Sequence, residues 1–170
     1  MATKRSSTRR SEPKSSKHGL EVDAETSARL GRIRQHGTSA ELAVRSALHA
    51  LGARFRTRNR DLPGSPDVAN RSRRWAVFVH GCFWHRHQGC ARTTTPTRNR
   101  EFWQAKFDAN VARDARVVDE LRRRGYAVLV VWECETPRPD ELRKRLSAFL
   151  VAQAARAESR APRSRSRSRT

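Results

Sequence analysis

YAVLVVW, residues 126–132, is the most apolar run of the chain. Its β-branched content and lack of alternation predict a strand covered on both faces, since a strand with one wet face would alternate polar and apolar residues. WAVFVH, residues 75–80, repeats the pattern. Between the two strands, residues 107–124 have helical periodicity, with Phe107, Val111, Val118 and Leu121 inward and Gly125 as the stop. Downstream, residues 140–152 predict an amphipathic helix through Leu142, Leu146, Phe149 and Leu150. Upstream, SAELAVRSALHAL (39–51) predicts another. Thr38 and Glu41 are spaced as a capping box at its start, and Gly52 marks its end. Residues 53–58 alternate like a strand with Phe55 inward, LPGSP (62–66) is turn chemistry, and 67–70 is a short extended run. The order α-β-β-β-α-β-α predicts an α/β fold, a mixed central sheet flanked by helices.

These patterns bound one domain, 26–152. Residues 1–25 are polar and basic, and residues 153–170 end in RSRSRSRT, so both read as disordered tails. The net charge is +20. Residues 1–18 and 156–170 together carry twelve Lys/Arg against two acids, so half of the surplus lies in the domain itself. Such a surplus points to a polyanionic partner, nucleic acid before membrane. No apolar run is long enough to cross a bilayer, and no secretion signal is visible. The expected setting is therefore intracellular, with reduced thiols.

HGCFWHRHQGC (80–90) holds two of the three cysteines, Cys82 and Cys90, and the third, Cys134, directly follows the 126–132 strand. Three thiols and one histidine can close a tetrahedral zinc site; with four protein ligands it leaves no open position and would be structural. His85 and His87 compete for the fourth place. Asp67 opens one strand and His80 ends the next, so Asp67, the Val79 carbonyl and His80 can meet at a magnesium ion. Taken alone, Asp67 reads first as a turn residue and Glu41 first as a cap. His80 and His85 have the chemistry for proton transfer near neutral pH. Phe83 and Trp84 sit in a loop with little room to bury two rings. Exposed, they could wedge into a base stack, with Phe102 and Trp103 as a second pair of which one must pack inward. Trp75 and Trp132 read as core. Arg98, Arg100, Lys106 and Arg113 are candidate phosphate contacts.

LPGSPD (62–67), FVHGCFWHRHQGC (78–90), TRNREFWQAK (97–106), NVARD (110–114) and VLVVWEC (128–134) together resemble the very-short-patch repair endonucleases (Vsr) over residues 27–150. The resemblance implies a restriction-endonuclease-like fold with a structural zinc. It also implies an enzyme that nicks one strand 5′ of the thymine in T:G mismatches, which arise when 5-methylcytosine deaminates. It assigns magnesium to Asp67 and the Val79 carbonyl, water activation to His85, active-site places to His80 and Glu41, and zinc to Cys82, His87, Cys90 and Cys134. An aromatic wedge falls on Phe83, Trp84 and Trp103, and Leu30 and Ile33 occupy the region that probes the opposite groove. The implied partner is mismatched double-stranded DNA, engaged by a monomer. A cytosine methyltransferase and mismatch-repair proteins would be functional associates, and the implied location is the bacterial cytoplasm at the nucleoid. Two other readings fit much of the same sequence: a non-catalytic zinc-containing DNA-binding protein, and a nicking nuclease with a different DNA target.

Overall fold

The computed structural model describes residues 37–160, all within one compact unit. The tail segments 1–25 and 161–170, and Leu30 and Ile33, lie outside the described residues. Helix α1 is Ser39–Ala50. Strand β1 is Val68–Asn70 and β2 is Trp75–His80. A one-turn helix, α2, is Cys82–His85, and α3 is Arg100–Arg123. Strand β3 is Ala127–Trp132, followed by a 3-10 turn at Glu133–Glu135 and helix α4, Pro139–Arg160.

The sheet order is β1-β2-β3, with β1 antiparallel to β2 and β2 parallel to β3. Alternate residues of the two apolar strands feed two different cores. Trp75, Val77, Ala127 and Val131 join Val44 and Leu48 of α1 and Leu142 and Leu146 of α4. Ala76 and Phe78 join Leu121 of α3, with Val117, Val128 and Val130 packed against them. Helices on both faces are therefore the reason why neither strand alternates.

Four expectations change in detail. The 53–58 strand reduces to a single bridge, Arg56 to Ala69, although Phe55 still packs on the first core. Helix α3 begins seven residues earlier than its periodicity indicates, because Trp103 and Phe107, one turn apart, are both buried on the same side. Val111, expected inward, is 44% exposed, on the wall of a shallow groove it shares with Arg86, Gln88 and Ala115. The last helix continues eight residues beyond 152.

The topology also fixes where chemistry can sit. The start of β1 and the ends of β2 and β3 share one end of the sheet, as the register Val68 to Val77 and His80 to Trp132 requires. That end gathers Asp67, His80, the α2 loop and Cys134. In open α/β sheets, the carboxyl ends of parallel strands are the usual place for ligands.

Candidate active site and metal centre

Asp67 is placed by the turn before β1. Asn59, 1% exposed, donates from Nδ2 to the carbonyls of Arg56 (2.8 Å) and Pro66 (3.0 Å), tying down the residue just before Asp67. Gly64 in the same turn has φ +67°, and a Cβ there would lie 2.4 Å from Val117 Cγ1, so this turn is built against α3. The Asp67 carboxylate accepts from the Val79 backbone N–H at 2.7 Å. Burial and the negative charge of Glu41 raise its pKa, opposed by that hydrogen bond and by Arg45. A half-buried carboxylate strained in its ionised form is relieved by a cation, so the site fits a hard divalent ion.

Glu41, 4% exposed, makes the whole capping box. Its oxygens accept from Gly37 N (3.0 Å), Thr38 N (3.4 Å), Thr38 Oγ1 (3.2 Å) and Arg45 Nη2 (2.8 Å). Its capping role is thus built in full, and its negative charge is close enough to be felt at Asp67.

His80, His85 and Asp114 form one cluster, their ligand-capable atoms within 4.8 Å of one another. The His80 and His85 rings stack at 3.9 Å with an 11° interplanar angle. His85 Nδ1 donates to Asp114 Oδ2, which leaves Nε2 for whatever enters the cleft. Burial would raise the Asp114 pKa, but the hydrogen bond from His85 and the charges of His85 and His80 together hold it below the ordinary carboxylate value. His80 is 8% exposed; burial, then the neighbouring His85, lowers its pKa to about 4, so it is neutral at physiological pH. Asp114 was not singled out from the sequence. Its signal was spacing: it follows Phe107 by seven residues on α3, the periodicity of the face that packs inward.

Cys82, His87, Cys90 and Cys134 form a second cluster, again with all ligand atoms within 4.8 Å. His87 is the histidine that joins the thiols, and His85 the one that faces Asp114. Zinc bond lengths of ~2.3 Å to sulfur and ~2.1 Å to nitrogen imply tetrahedral S···N edges of about 3.6 Å. His87 Nδ1 lies 3.7 Å from Cys82 Sγ and 3.3 Å from Cys134 Sγ, so the donor set fits a zinc ion. Burial pushes the Cys82 thiol up to about 12, whereas the Arg92 backbone N–H helps hold Cys90 below its usual value. A cation is what would let packed thiolates coexist. Thr93 Oγ1 donates to the carbonyls of Cys82 (3.2 Å) and His87 (2.8 Å), closing the loop around the site.

Trp132 connects the clusters. Its ring stacks on His87 at 4.2 Å and meets His80 edge-on at 5.5 Å. It was expected in the core but is only half-buried, because β3 ends at the site. Of the pair Phe102 and Trp103, Trp103 is the one that packs inward. It is 6% exposed and packs against Phe83, Trp84 and Phe107, so in this structure it backs the aromatic pair and offers no free face. Phe83 and Trp84 are half-buried, and Asn110 Nδ2 donates to the Trp84 carbonyl at 3.1 Å. Arg100, Lys106 and Arg113 are exposed along α3, consistent with phosphate contact.

Sequence comparisons bear on this geometry. The family model described as DNA mismatch endonuclease Vsr matches residues 21–92, which include Asp67, His80, His85 and three of the four cluster-two ligands. The chain is 45% identical over 121 residues to the type II nicking enzyme V.XorIIP of Xanthomonas oryzae pv. oryzae, covering 71% of this chain and 88% of that one. It is 35% identical over 140 residues to the DNA mismatch endonuclease Vsr of Escherichia coli, covering 79% and 89% respectively. It is 36% identical over 119 residues to the type II nicking enzyme V.NmeAIP of Neisseria meningitidis, covering 70% and 84%.

Proposed function

The chain belongs to the Vsr family of DNA mismatch endonucleases, and on that premise we propose that it nicks one strand of duplex DNA on the 5′ side of the thymine in a T:G mismatch. The observation that carries this reading is the His80–His85–Asp114 cluster at the same sheet end as Asp67. A DNA-binding protein without catalysis has no use for a carboxylate-oriented histidine beside a strained carboxylate.

In this reading Asp67 and the Val79 carbonyl hold magnesium, which supplies charge stabilisation at the phosphate and lowers the pKa of the attacking water. His85 takes the water proton at Nε2. Asp114 fixes the ring's tautomer and stabilises the imidazolium that results. His80, neutral and stacked on His85, keeps that ring in plane and contacts the phosphate. Glu41 caps α1 and orients water near Asp67. Cys82, His87, Cys90 and Cys134 hold zinc, and the closed site fixes the loop that carries Phe83 and Trp84. Those rings enter the base stack where a mismatch makes distortion cheapest, with Trp103 behind them. Leu30 and Ile33 approach from the other groove. T:G pairs come from deaminated 5-methylcytosine, so a cytosine methyltransferase is the expected functional associate.

The test uses end-labelled duplexes carrying T:G or C:G at one position, with magnesium or EDTA. A single magnesium-dependent nick 5′ of the thymine in the T:G duplex alone is the expected result. Equal nicking of both duplexes would discard mismatch specificity, and binding without cleavage would discard catalysis.

A further inference from the structure

The far end of the sheet, opposite the His80–His85–Asp114 and Cys82–His87–Cys90–Cys134 clusters, carries a groove of about 1260 Å³ between the β1–β2 turn, the end of α3, the start of β3 and the last turns of α4. Its lining includes Arg73, Arg74, Arg122 and Arg156, the hydroxyls of Ser72 and Ser159, and no acidic residue. All four guanidinium groups are exposed. Among the described residues no carboxylate pairs with Arg73, Arg74 or Arg156. Arg74 donates instead to the Arg124 carbonyl at 2.9 Å, and Arg122 is only loosely paired with Asp119 at 3.9 Å. The charge there is therefore available to a ligand.

We propose that this groove is a second DNA-binding surface that takes the phosphate backbone of a separate duplex segment, so that one molecule can hold two segments at once. Three observations carry the proposal. The first is charge: four arginines converge on one concavity without a countering acid, which suits phosphates. The second is position. Arg74 and His80 lie at opposite ends of β2, six residues or about 20 Å apart at strand rise. The groove therefore lies outside the catalytic end and leaves that end free for its own DNA while the groove holds a second segment. The third is chain continuity. Helix α4 ends at Arg160, beside the rim residue Ser159, and the ten residues that follow carry four more arginines. An acidic protein segment is the competing occupant. Such partners anchor through apolar side chains, but the apolar part of the lining, Tyr126, Val128 and Phe149, is half-buried and packed against the cores, so the exposed rim is left to the arginines.

A second phosphate site would let the protein pass between segments during target search without full release, and it leaves the chemistry at the first site untouched. The experiment is a capture assay with full-length protein in EDTA, so that its readout does not depend on cleavage or on the proposed reaction. A T:G duplex is immobilised, protein is added, and retention of a fluorescent matched duplex of unrelated sequence is measured. The wild type retains it. Arg73→Glu/Arg156→Glu reduces retention by about tenfold, and the milder Arg73→Gln/Arg156→Gln makes the salt dependence shallower by about two counterions, one per lost contact. Both variants bind the immobilised T:G duplex within about twofold of wild type, which shows that they are folded. Unchanged retention in both variants overturns the proposal. So does loss of retention only when residues 161–170 are removed, which would assign bridging to the tail alone. Displacement of the second duplex by poly-glutamate at lower charge concentration than by competitor DNA would assign the groove to an acidic protein.

Discussion

The Asp114 carboxylate accepts a hydrogen bond from His85 Nδ1, across 29 residues of sequence and from a different helix. The pair turns an otherwise ordinary histidine into one with a fixed tautomer and a fixed direction. Asp114→Asn keeps the shape but offers an amide, which lets the ring turn over and removes the charge that balances an imidazolium. The expected result is a fall in single-turnover nicking of about 10²–10⁴-fold. Mismatch binding, measured by gel shift in EDTA, should stay within about threefold of wild type, since Asp114 acts on the ring and not on the DNA. An equal loss of binding and nicking would make Asp114 a structural residue only.

The Asp67 turn offers a second test. Asn59 bridges two carbonyls from inside the protein. Asn59→Ala removes the side-chain donor to the Pro66 carbonyl, while the Arg56 carbonyl keeps the Ala69 N–H, and should cost about 1–3 kcal/mol in urea unfolding. Because one of those carbonyls belongs to Pro66, Asp67 should also lose its set position, raising the magnesium concentration needed for half-maximal nicking. Gly64→Ala should do the same through its clash with Val117 and its positive φ. A variant that loses stability but keeps the magnesium dependence would separate folding from site placement.

Much of this arrangement was legible before the structure, and the reasons differ by residue. The strands at 75–80 and 127–132 stood out because burial on both faces leaves no polar interruption. The α1 boundary stood out because a capping box is a local hydrogen-bond pattern that needs no tertiary contact. The cysteines stood out because no other residue type competes for that chemistry at that spacing. What did not stand out depended on tertiary neighbours. Asp114 lies in a run of charged residues and looks like a solvated face until α2 brings His85 to it. His85 and His87 could not be ranked, because two residues along a turn decide which ring meets sulfur and which meets carboxylate. Which of Phe102 and Trp103 packs inward could not be read, because the cover of Trp103, Phe83 and Trp84, comes from a one-turn helix too short to predict.

Cys134 supplies the thiol farthest in sequence from the others, so it decides whether a zinc ion held there would close a loop between β3 and the α2 segment. Metal analysis of the purified protein should find zinc retained through dialysis. Cys134→Ser should lose most of it, lower the melting temperature and expose Cys82 and Cys90 to thiol reagents. Nicking should fall in step with folding, and adding magnesium should not restore it. A fully active, zinc-free Cys134→Ser protein would remove the stapling role.

His80 makes the pH dependence predictable. In the unfolded chain it titrates near 6.5, and in the folded protein near 4, because burial and then His85 disfavour its charged form. Above pH 6.5 it is neutral in both states and contributes no slope. Between 6.5 and 4 the unfolded chain takes up a proton that the folded chain refuses, so stability falls as pH falls, by a total on the order of 3 kcal/mol from this group. Below pH 4 both states are protonated and the loss levels off. Urea midpoints for the wild type and His80→Gln, measured at intervals from pH 7.5 to 4, isolate this contribution, because the other histidines and the thiols titrate in both proteins. The wild-type curve should drop more steeply than the variant's across that window and run parallel to it above 6.5. Parallel curves throughout would mean that His80 takes up its proton in the folded protein as readily as in the unfolded chain, and that its burial does not hold it neutral.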